Sequence, residues 1–236
     1  DCYYLATIMA LTKSPEGRRI IQDSIKVHYG PDGKPDGFMV TVYDDPLHPD
    51  AKASRTVFVD DVYGKGVTGP DGKPNYASIL ESAYGQQHPG GALGSGKANG
   101  ISGGWPKEAA QDLTNNPASD VSGRAGYSSD ERKKIIDAAN SSNPVTAETA
   151  SAPRGNFPND GKAEVGVTLP NGEKTNVVVY GSHAYMVVNA DQNGVTLANP
   201  HGHNKDQTGK EVDGTFTMSW EDYEKYYGST TIGSVK

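Results

Sequence analysis

A cysteine at position 2, a histidine at 183 and an asparagine at 199 are the residues whose types could together perform nucleophilic chemistry. Cys2 is the only cysteine in the chain, so no internal disulfide can use it. A thiolate, not a thiol, attacks carbonyl carbon. Free cysteine ionises near about 8.5, and a helix N-terminus beside an imidazolium lowers that to roughly 3.5–7.5. Cys2 opens "DCYYLATIMAL", an apolar run that reads as a helix over residues 2–12 with Asp1 as its cap. The unpaired N–H groups of that first turn would favour negative charge on the sulfur. His183 is then the base that takes the thiol proton, and Asn199 the amide that holds the imidazole in the right tautomer. Each residue also has a plainer reading. Free cysteines are commonly buried as small apolar groups, a lone histidine in "GSHAY" is more often structural, and asparagine before proline is turn chemistry.

The elements around these residues decide whether they can meet. "AYMVVNA" and "GVTLAN" alternate as strands on either side of Asn193-Gly194, a hairpin turn dipeptide. Pairing residues 184–190 with 194–199 makes His183 and Asn199 neighbours near the open end of the hairpin. Ser14-Pro15-Glu16 reads as cap, first-turn proline and acidic first turn of a second helix running towards Ile25. Strands are expected at 38–43 and 55–61, and helices at 75–84, 106–113 and 128–141. Ile79, Leu80 and Ala83 face inward in the first of these helices. The glycine-rich stretch 85–104 lacks the strand and the Gly-Lys-Ser/Thr of a phosphate loop, and reads instead as the rim of a cleft. Gly103, Gly104 and Trp105 are its candidate substrate contacts. Residues 146–160 are poor in periodic apolar residues and read as a linker. They divide a mostly helical lobe, 1–145, from a mostly antiparallel β lobe, 161–236, an α+β arrangement.

Composition excludes several other classes. A net charge of −7 argues against nucleic acid as the main partner, because phosphate binding needs clustered Lys and Arg. No apolar run approaches the ~20 residues of a membrane-spanning helix. The chain starts without an initiator Met or a leader, and reads as a piece of a longer polypeptide. Its free cysteine favours a cytoplasmic setting, with a secreted effector as the other reading. "NADQNG" (189–194) imitates the first half of an EF-hand loop, but the twelfth position is Pro200 where a bidentate Glu is needed. His201 and His203, with His183, form the only histidine grouping that suggests zinc, and a zinc hydrolase would use them.

The motifs resemble a known family. "DCYYLA", "GSHAYMVV" and "LANPHG" are similar to the segments that carry Cys, His and Asn in calpain-family cysteine proteases. "FVDDVY", "YASILESAYGQ", "ISGGWPKEAAQDLT" and "DGTFTMSWEDYEKYYGSTTI" resemble further family segments, in family order and across nearly the whole chain. The resemblance implies a papain-like fold of two lobes with the cleft between them, and cleavage of peptide bonds in protein or peptide substrates. It carries the nucleophile onto Cys2, the general base onto His183 and the orienting amide onto Asn199. The chemistry implied needs no cofactor. Calcium enters only as the activator of the animal relatives, and Glu108 alone falls on one of their ligand positions. The family's oxyanion-hole glutamine lies upstream of its cysteine, before Asp1 here, and its tryptophan after Asn-Pro is His201. A catalytically silent, partner-binding module of the same fold is the alternative reading.

Overall fold

The computed structural model describes residues 2–43, 54–60, 70–71, 75–87, 91–92, 97–98, 104–150, 156–158 and 160–236. Asp1, Gly103 and most of the glycine-rich stretch, with their expected roles as cap and rim, lie outside them.

Helix α1 (Cys2–Thr12) is buried on nearly every side, as an apolar helix without a polar stripe must be. Helix α2 (Pro15–Ser24) starts as its sequence requires: the Ser14 hydroxyl accepts the Gly17 N–H at 3.0 Å, with Pro15 in the first turn. The helix stops where β-branched residues begin. Ile25–Tyr29 form a strand, β1, absent from the sequence reading. The turn through "PDGK", with Gly33 at φ 76°, returns the chain into β2 (Pro35–Val42), which pairs with β1 and with β3 (Arg55–Val59) in an antiparallel sheet. Helix α3 (Tyr76–Gln87) buries Ile79, Leu80 and Ala83 as expected. A minimal pair, β4 (Gly91–Ala92) and β5 (Lys97–Ala98), follows, and then α4 (Pro106–Thr114). These elements enclose a first core around Tyr4, Leu11, Leu80 and Tyr84, with Tyr4 stacked on Tyr84 at 4.3 Å.

The second core belongs to an antiparallel sheet. Its strands are β6 (Ser119–Ser122), β7 (Val145–Thr149), β8 (Lys162–Thr168), β9 (Lys174–Tyr180), β10 (Ala184–Asp191), β11 (Gly194–Lys205), β12 (Glu211–Met218) and β13 (Tyr227–Ile232). They lie in the order β6-β13-β7-β10-β11-β12-β8-β9. Helices α5 (Ser129–Ala139) and α6 (Trp220–Tyr226) pack on it, α5 opened by a complete Ser128/Glu131 capping box. The molecule is therefore mixed helix and antiparallel sheet, as expected.

The boundary between the lobes needs correction. Val145–Thr149 is a central strand between β13 and β10, so the first residues of the expected 146–160 linker are core. Val121, Tyr127 and Ile135, assigned to the helical lobe, are also part of the second core. The reason is physical: the strand is five residues long and Val145 is its one strongly apolar side chain, so little in its sequence marks it as core. Phe157, also within the expected linker, packs edge-on against Tyr226 at 5.5 Å.

Candidate active site

His183 stands just before β10, and Thr149 of β7 holds its backbone from both sides. The His183 N–H donates to the Thr149 hydroxyl and the His183 carbonyl accepts the Thr149 N–H, each at 2.9 Å. The preceding Ser182 adopts φ 53°, a left-handed conformation that turns the chain sharply into the strand. The buried Tyr185 ring lies edge-on to the imidazole at 4.8 Å. Tyr185 lies within the quoted "GSHAYMVV" segment, whereas nothing in the sequence distinguished Thr149 from any other strand residue.

Asn199 comes from the partner strand. From the turn, Asp191 pairs with Gly194 and Asn189 with Thr196; then the register shifts, and Val187 pairs with Leu197 and Met186 with Ala198. The extra residue at the shift is Val188. Continued without the shift, the first register would set Asn199 opposite Met186, on the other face of the sheet from His183. The bulge restores a common face. It brings His183 Nε2 within 3.1 Å of Asn199 Oδ1. It also sets His201 across from His183, and the two rings stack in parallel, 5.1 Å apart and 2° from coplanar.

Asn199 is 3% exposed and its amide is engaged at both ends. The His201 N–H donates to its Oδ1 at 3.0 Å, and its Nδ2 donates to Asn204 Oδ1 at 3.1 Å. His183, Asn199, His201 and Asn204 line one cavity of about 370 Å³. A larger hollow of about 540 Å³ opens at the other end of the hairpin, around Asp191 and Asn193, away from these groups.

Burial holds the His183 imidazole well below its ordinary value, at about 4, against the opposing hydrogen bond from Asn199; the charge of His201 pushes the same way as burial. His201 is itself lowered, by partial burial and by His203. Glu148 of β7, paired with Ala184 on β10, is pushed up to about 7, first by burial and then by the Asp120 carboxylate.

Helix α1, which carries Cys2, packs along β10. Ala10 clusters with Met186 and Ala198, whereas Ala184, beside His183, belongs to the first-lobe cluster of Tyr3 and Tyr4, against which Cys2 also packs. The first turn of α1 therefore lies at the His183 end of the strand. Cys2 is half-buried, and it is one of the groups whose charge acts on the Tyr185 phenol. Gly104 touches the same turn: a Cβ there would fall 2.5 Å from the Tyr3 ring. Trp105 follows at 64% exposure, so its indole is open to solvent beside the site. Glu108 lies in the first turn of α4, where its charge acts on Tyr3.

Among the described residues no three His, Cys, Asp or Glu side chains are grouped so that they could hold a metal ion. No described helix is long and apolar enough to cross a membrane. Neither the family models nor the curated proteins compared with the chain give a match, so the family resemblance stands on the motifs alone.

Proposed function

We propose that the chain is a papain-like cysteine endopeptidase of calpain type, hydrolysing peptide bonds through a thioester on Cys2. One observation carries the reading: His183 Nε2 and Asn199 Oδ1 lie 3.1 Å apart, at the end of the sheet that the first turn of α1 covers. That contact occupies one ring nitrogen and leaves Nδ1 to exchange a proton with the thiol. A module that only binds partners has no use for a buried amide orienting an imidazole.

The chemistry follows from these groups. The Cys2 proton passes to His183 Nδ1, and Sγ forms a bond to the substrate carbonyl carbon. The carbonyl electrons move onto oxygen, where the Cys2 backbone N–H at the head of α1 is the donor the resemblance assigns. As the C–N bond breaks, the Nδ1 proton goes to the leaving amine. Water then attacks the thioester, giving one proton to Nδ1 and releasing the acid, and that proton returns to sulfur. Burial favours neutral His183, the form that accepts the thiol proton. The stacked His201 and the edge of Tyr185 keep water from competing for the Nε2–Asn199 contact.

A peptidyl fluoromethyl ketone tests the reading, because it alkylates a protease thiol only where an imidazole activates it. The expected result is one adduct on Cys2 by mass spectrometry, at least about 100-fold slower to form in His183→Ala. Equal labelling of the two chains would remove the protease reading and leave the partner-binding module.

A further inference from the structure

Asn204 lies on β11 beyond the "LANPHG" motif and was not singled out in the sequence. It is 2% exposed, and both ends of its amide are engaged. We propose that Asn204 is a positioning residue: it fixes which end of the Asn199 amide faces His183, and so which imidazole nitrogen carries the proton. The inference rests on the reading of Cys2, His183 and Asn199 as a catalytic set.

One hydrogen-bonding group here has a role that is not open to choice. The Asp213 backbone carbonyl can only accept, so the Asn204 atom 2.8 Å from it must be the donor, Nδ2. The other end of Asn204 is then Oδ1, which can only accept. The Asn199 atom 3.1 Å away must therefore be Nδ2. That turns Asn199 Oδ1 towards His183, an orientation the His201 N–H also requires by donating to the same oxygen at 3.0 Å. An acceptor 3.1 Å from His183 Nε2 requires Nε2 to bear the hydrogen. In the neutral ring Nδ1 is then free of hydrogen and able to take the thiol proton.

The two ends of an asparagine amide have nearly the same shape, so packing cannot select between them. Only the pattern of donors and acceptors can. A flipped Asn199 would set two oxygens against each other at Asn204 and two donors against each other at the His201 N–H. Its Nδ2 would then face Nε2, and the imidazole proton would move to Nδ1, closing the base to the thiol. Asn199 and Asn204 are only 3% and 2% exposed, so the mismatch would carry the cost of buried polar groups without proper partners.

Nitrogen-15 NMR of the imidazole in a Cys2→Ala chain tests this without any catalysis. At pH 7 the expected spectrum has His183 as a single Nε2–H tautomer, and Asn204→Leu is expected to add the Nδ1–H form. In the chain that keeps Cys2, Asn204→Leu should slow His183-dependent alkylation at pH 6 by about tenfold, the scale of one buried hydrogen bond. It should leave the rate at pH 9 unchanged, where bulk base removes the thiol proton. If His183 carries its proton on Nδ1 when Asn204 is intact, the inference is overturned, whether or not the variant folds. It is equally overturned if Asn204→Leu folds and neither the tautomer nor the pH 6 rate moves. Should the tautomer respond while Cys2 shows no dependence on His183, Asn204 positions the ring but the protease reading falls.

Discussion

At the scale of single residues, the site is governed by how burial treats two titrating groups. His183 is held near 4 by burial and, to a lesser degree, by the charge of His201 stacked on it. Replacing His201→Phe keeps a ring in the stack and removes the charge. The His183 midpoint, followed by NMR, should rise; an unmoved midpoint would mean that the stacked ring exerts no field on the base. Glu148 behaves in the opposite sense. Its folded value of about 7 lies above the ordinary 4.5, so between those values the folded chain keeps a proton that the unfolded chain gives up. Stability on this account falls as pH rises from 4.5 to about 7. Glu148→Gln should therefore melt higher than the natural chain at pH 8 and with it at pH 4. A difference of the same size at both pH values would exclude the burial explanation. Residue types made Cys2, His183 and Asn199 legible in the sequence, because few side chains can attack carbonyl carbon, move a proton and orient a ring. Glu148 and Asn204 were not legible, since their roles come from neighbours that only the folded strands supply.

Elements deliver those residues, and they do so through one helix and one irregular hairpin. The first turn of α1 has to stay close to Gly104, where a Cβ would fall 2.5 Å from Tyr3. Gly104→Ala should push Tyr3, and Cys2 beside it, away from the sheet. The expected cost is about 1–3 kcal/mol of stability in denaturant unfolding, as for other overpacked contacts, with slower Cys2 labelling by the peptidyl ketone. Full stability with full labelling would show that the contact relaxes freely. Helix starts at Ser14 and Ser128 were legible because capping chemistry is local. The hairpin was legible only in part. Asn193-Gly194 marked the turn, but nothing in "AYMVVNAD" announces a bulge at Val188, whose signal is three-dimensional. Simple counting from the turn would have put His183 and Asn199 on opposite faces. Likewise β7 was read as the start of a linker because Val145 is the one strongly apolar side chain in its five residues.

For the molecule as a whole, α1 ties the first core to the second sheet, packing against β7, β10 and β11. Its tyrosines belong to the first, while Ala10 clusters with Met186 and Ala198 on the second sheet. Opening the first core would therefore pull α1 from the sheet. Unfolding should accordingly be a single transition. Trp220 is 4% exposed and donates to the Asp191 carbonyl at 2.7 Å, so its fluorescence reports on the second core. Cys2 accessibility to a thiol reagent reports on the first. The two denaturant midpoints should coincide; exposure of Cys2 well before the Trp220 signal changes would show that the lobes unfold independently. The passage from mostly helix to mostly antiparallel sheet was legible from the shift in composition along the chain. Its exact border was not, because β6 and α5 leave the helical half of the sequence to complete the second core.

The proposed function requires Cys2 and His183 to act as one proton-sharing pair, and the rate of Cys2 alkylation against pH reads that pairing. The natural chain should keep a reactive limb below the ordinary thiol range near about 8.5, and His183→Ala should lose that limb while keeping the fold. Superimposable profiles for the two chains, both rising as an ordinary thiol does, would contradict the account.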